Sequence, residues 1–195
     1  MTFAGIDYGS KLAGTTAIAF ANEQAQVELV QSAKKQDADQ LILEWANARR
    51  PRRVFLDAPL SLPGVYKDET RYRDFFYREC DRKVQAMSPM FLGGLTARAM
   101  RLRAELAALG TEVIEVYPSQ LADVLQLDRS QYKKHIAYIP TVVETIFTAL
   151  PYSIQNESIT SWHQVDALLA FLSGYRFWKA QHLTFGNPQE GIIIV

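Results

Sequence analysis

At 195 residues with 48% apolar side chains, the chain fits one domain with a full-sized core and leaves no room for an independent second one. A formal net charge of zero excludes a global field that would hold a polyanion unselectively, so any contact with nucleic acid has to come from local basic patches. The lone cysteine, Cys80, excludes an internal disulfide framework and a cysteine zinc site; with neither a secretory start nor an apolar run near the roughly 20 residues of a membrane span, we expect a cytoplasmic protein without a membrane partner.

In chain order, Phe3 to Asp7 and Gly14 to Phe20 are short apolar runs suited to buried strands, and the period-two alternation from Ala25 to Val30 predicts a third. The chain thus opens on a three-stranded meander. Asp37 or Asp39 can cap a helix in which Leu41, Ile42, Trp45 and Ala48 recur until Pro51 ends it. Val54, Phe55 and Leu56 form the unbroken triplet of a strand covered on both faces, with Asp57 at its end and Pro59 and Pro63 beyond.

Residues 60–94 lack long apolar periodicity and interleave Tyr66, Tyr72, Phe75, Phe76 and Tyr77 with arginines and lysines, which predicts an insertion over the sheet. A helix follows through Leu95, Ala99, Leu102, Leu106 and Leu109 to Gly110, then a strand over 112–117 ending at Pro118. Helical patterns surround Leu121 to Leu127 and Val142 to Leu150, with Pro140 and Pro151 as punctuation, and the last helix spans Ser161 to near Lys179. Ile192 to Ile194 are expected to add an edge strand. A meander followed by alternating strands and helices means an α/β domain with a mixed sheet.

Carboxylates stand at the strand ends of that layout. Asp7 lies on the first strand beside Gly9, Asp57 ends the next parallel strand, Glu115 lies in the following one, and Asp166 shares a helical face with Trp162, Leu169, Ala170 and Ser173. All four can face one crevice. An ionised carboxylate removed from water costs several kcal/mol unless it gains partners, and a hard cation such as Mg²⁺ or Mn²⁺, which takes oxygen ligands, answers that cost for several at once. Two such ions about 3.5 to 4 Å apart suit phosphodiester hydrolysis. The plainer roles are a turn or cap for Asp57, an exposed position on an alternating strand or an arginine pair for Glu115, and a helix–helix hydrogen bond for Asp166.

With these residues placed, the chain resembles the domain-of-unknown-function 429 family, predicted nucleases of the ribonuclease-H-like superfamily. The resemblance covers nearly the whole length and is carried by Gly5-Ile6-Asp7-Tyr8-Gly9, Asp57-Ala58-Pro59-Leu60-Ser61-Leu62-Pro63, Arg78-Glu79-Cys80-Asp81, Glu115-Val116-Tyr117-Pro118, Tyr132-Lys133 and Asp166-Ala167-Leu168-Leu169-Ala170. It implies a ribonuclease-H-like sheet with helices on both faces, in which Asp7, Asp57 and Asp166 hold a divalent metal and Glu115 assists as ligand or proton acceptor. Related resolvase-type nucleases often carry two acidic residues one turn apart on the final helix. Here His163, three residues before Asp166, can take that slot, weighed against a surface or capping residue at the helix start.

Around this centre, Lys11 and Arg78 are candidate phosphate contacts, weighed against an exposed turn lysine and an internal Arg78–Asp81 pair. The aromatic and basic interleaving of the insertion suits stacking on unpaired bases. Cys80 has no activating neighbour and is taken as inert. The leading expectation is a metal-dependent nuclease. The alternatives are an actin-like ATPase, from the phosphate-loop likeness of Asp7 to Lys11, and a noncatalytic interaction module that keeps the fold.

Overall fold

β1 (Phe3–Asp7), β2 (Ala17–Ala21) and β3 (Val27–Gln31) form the antiparallel meander in a computed structural model that describes residues 2–154 and 159–195. α1 (Ala38–Arg49) then returns the chain to β4 (Arg53–Asp57), parallel to β1, and α4 (Gly94–Ala108) leads to β5 (Glu112–Glu115), parallel to β4. The five-stranded mixed sheet has the order β3-β2-β1-β4-β5. Asp37 is the residue that caps α1, accepting from the N–H groups of Asp39 and Gln40. Asp39 is instead buried.

Period two divides the sheet between two cores. Ala4, Ile6, Val54 and Leu56 point to one face, which α1 and α4 cover through Ile42, Ala46, Ala99, Leu102 and Leu106. Phe3 and Phe55 point to the other, covered by α5 (Pro118–Val124), α6 (Ile139–Thr148) and α7 (Trp162–Trp178). Each large apolar side chain buried there contributes about 1.5–3 kcal/mol. Pro140, expected to interrupt, lies in the first turn of α6, where its missing N–H costs nothing.

α7 starts at a Ser161–Gln164 capping box and is buried on every side from Val165 to Gly174. The helix is central rather than amphipathic. Gly5 explains how it comes so close: a Cβ there would sit 2.0 Å from the backbone nitrogen of Phe171. Strand and helix therefore meet backbone to backbone.

The stretch between β4 and α4 holds two short helices, α2 (Glu79–Val84) and α3 (Pro89–Leu92), in place of regular layers. Ile192 to Ile194 do form a strand, β7 (Gly191–Ile194), but it pairs with β6 (Thr184–Asn187) in a separate hairpin and, among the described residues, bridges to the main sheet's last strand segment at Val116–Ile194. Gly186 and Gly191, both at positive φ, allow that turn. No helix among the described residues is long and apolar enough to cross a membrane.

Candidate metal centre

The face rule decides which acids meet. Asp7 and Asp57 have the parity of Phe3 and Phe55, and they lie side by side in the parallel register of β1 and β4, both toward α7. Asp166 comes from α7, one turn inside its N-terminus. One carboxylate oxygen from each lies within 4.8 Å of the others. Three acids remote in sequence thus form one cluster that can hold a metal ion.

Asp166 is the best supported of them. Its Oδ1 accepts from Tyr132 Oη at 2.5 Å and its Oδ2 is 2.7 Å from Lys133 Nζ. Tyr132 is itself buried, edge-on to Trp162 at 5.2 Å, and Lys133 takes a left-handed backbone with φ of 63°. Such a φ costs a non-glycine residue about 1 kcal/mol or more and is tolerated where surroundings hold it. Burial acts to lower the Lys133 pKa, but Asp166, Asp57 and Asp7 outweigh it and hold the ammonium charged.

Asp7 is paired with His163, whose Nδ1 is 2.7 Å from its Oδ2. Burial still pushes Asp7 up to about 6, against the His163 hydrogen bond and with the repulsion of Asp166. The bond to Asp7 raises His163 in turn. Asp57 has no such help: among the described residues nothing donates to it, and burial first, then Asp7 and Asp166, raise it well above the carboxylate range. Its environment asks for a cation or a proton.

Glu115 does not join the cluster. In register it opposes Leu56, so it points to the other face of the sheet from Asp57. Its carboxylate forms a two-pronged pair with Arg78, at 2.6 and 2.8 Å, and also accepts the N–H of Leu60. Burial raises Glu115 and Arg78 pulls it back down.

Arg78 is equally committed. It is 1% exposed, and its guanidinium donors are divided among Asp81, Glu115 and Ser61. None remains for a phosphate, so the internal-pair alternative describes Arg78 and replaces the anion contact. Lys11 pairs with Asp37 at 3.0 Å on an exposed turn, apart from the crevice. Cys80 is fully buried, and burial pushes its thiol up to about 12, which keeps it protonated.

Beside Asp7 and Asp57 the crevice opens into a cavity of about 220 Å³, walled by Ala58, Pro59, Met87, Leu92 and Leu95. Lys133 is the site residue that periodicity could not find. It sits on a polar loop with no repeating pattern, and only the Tyr132-Lys133 pair marked the place. No protein-family model matches the chain, and no curated protein matches it.

Proposed function

We propose that this chain is a metal-dependent phosphodiesterase of ribonuclease-H-like fold that hydrolyses nucleic acid, with Asp7, Asp57 and Asp166 holding Mg²⁺ or Mn²⁺. The observation that carries this reading is the convergence of those three side chains around an Asp57 to which no described residue donates a hydrogen bond. An antiparallel meander continued by two parallel strands, with acids on β1, β4 and α7, supports the ribonuclease-H-like assignment.

The donor set fits a hard cation. All three offer carboxylate oxygen, the ligand that a hard divalent cation takes. Such an ion supplies Lewis-acid stabilisation of charge on a phosphoryl oxygen. The chain supplies rigidity: Tyr132 and Lys133 fix both oxygens of Asp166, and His163 fixes one of Asp7.

The test is cleavage of single-stranded, duplex and branched DNA and RNA in Mg²⁺ or Mn²⁺. Asp57→Asn and Asp7→Asn are each expected to lower the rate by about 100-fold or more, the scale of several kcal/mol of metal stabilisation. No cleavage of any substrate, or cleavage indifferent to both substitutions, overturns the proposal.

A further inference from the structure

The cavity beside the acid cluster is built for something other than phosphate. Its lining joins Asp7 and Asp57 to the apolar Ala58, Pro59, Met87, Leu92 and Leu95, and the charged Arg78, Asp81 and Glu115 that also line it are spent on one another. With zero net charge the chain has no global field for backbone phosphates, so apolar contact at this cavity adds to whatever local basic patches supply.

At about 220 Å³ the cavity lies below the range of drug-sized ligand sites and suits one small ring system. The rim continues the apolar surface outward. Met87 is 60% exposed, and on the turn that carries Leu92 the Phe91 ring is 63% exposed, 5.5 Å from Phe76, itself 51% exposed. Met87 lines the cavity and Phe91 follows it on the chain segment that ends in the lining residue Leu92, so exposed apolar side chains of the kind on which bases stack lie on the stretch that borders it. A duplex hides its base faces in its own stack, whereas a single strand presents them.

We infer that the crevice receives an unpaired nucleobase, so that the substrate is single-stranded nucleic acid, its base against Met87 and Leu92 and the neighbouring phosphate toward Asp7 and Asp57. This rests on the phosphodiesterase reading for the phosphate and stands apart from it for the base.

The experiment is fluorescence anisotropy with labelled DNA and RNA strands, their duplexes and a strand carrying abasic positions. It is run on the wild-type chain in EDTA and on Asp57→Asn in Mg²⁺, so that cutting is suppressed while binding is read. Single strands are expected to bind at least about tenfold tighter than duplexes, and the abasic strand about tenfold weaker than its parent. Met87→Ser and Phe91→Ser, at exposed positions where melting temperature verifies the fold, are each expected to weaken strand binding by about tenfold. The DNA and RNA arms distinguish the two sources of the base.

Duplex binding as tight as single-strand binding, indifference to the abasic positions, or no binding at all overturns the inference. So does sedimentation showing a dimer that these two substitutions dissolve, because a second copy would then be the occupant. Cleavage of duplex alone defeats this inference and leaves the phosphodiesterase standing; base-dependent strand binding without cleavage in any metal does the reverse.

Discussion

Two groups of buried acids lie at the same end of the sheet and meet opposite fates. Asp81 and Glu115 close on Arg78, which delivers two N–H groups to each, so their carboxylates are paired inside the fold. Asp7, Asp57 and Asp166 share one lysine and one histidine, and Asp57 receives no hydrogen bond among the described residues. The residue types are alike; the difference is whether the chain supplies its own counter-charge. One group is closed on its own arginine, and the other leaves Asp57 without a hydrogen-bond donor among the described residues.

The comparison breaks most visibly at Arg78. Arg78→Met strands two buried carboxylates and is expected to cost about 3–5 kcal/mol, measured by urea unfolding. A loss under about 1 kcal/mol would mean that the closed group is not structural.

The open group is expected to show itself through pH. Asp7 is raised to about 6 from an ordinary value near 4, so the folded state holds this proton more tightly than the unfolded one. The contribution of Asp7 to metal-free stability is then fullest below about pH 4 and is lost as the pH rises to about 6, by about 3 kcal/mol. Asp57 and His163 are also raised, and they continue the decline to higher pH. Added Mn²⁺ recovers the loss increasingly above pH 6, because only the ionised acids bind it. A flat melting profile in EDTA from pH 4 to 8 would contradict this.

Asp57→Asn sharpens the contrast by reversing the usual sign. Removing an uncompensated charge is expected to stabilise the metal-free chain by about 1–3 kcal/mol while abolishing the melting shift caused by Mn²⁺. Destabilisation with the shift retained would assign Asp57 to the scaffold. The smallest effect belongs to Lys11→Ala, whose exposed pair with Asp37 predicts a cost under about 0.5 kcal/mol and unchanged cleavage kinetics.

Much of this was legible in the residues. Apolar runs and caps located the meander, the helices and the acids of β1, β4 and α7, because strand ends and core-facing stripes are local signals. The face of Glu115 was not, because Val113 and Ile114 are both apolar and leave β5 without alternation. Register with Leu56 settles it, and register is tertiary. Asp39 was hidden in the same way: an acid in the first turn of a helix suggests the surface, yet Tyr8 and Arg98 bury it. β6 escaped since Thr184 to Asn187 carries one large apolar residue, Phe185, and pairs only through the return of β7. Lys133 depends on a loop conformation that no periodicity encodes.

The missing methyl at Gly5 reaches further than packing. Since main chain touches main chain between β1 and α7, the gap separating Asp7 from Asp166 is gauged by two stiff polymers and not by pliable side chains. A ruler of that kind resists stretching, so the spacing offered between the two carboxylates is fixed by the fold before anything enters it.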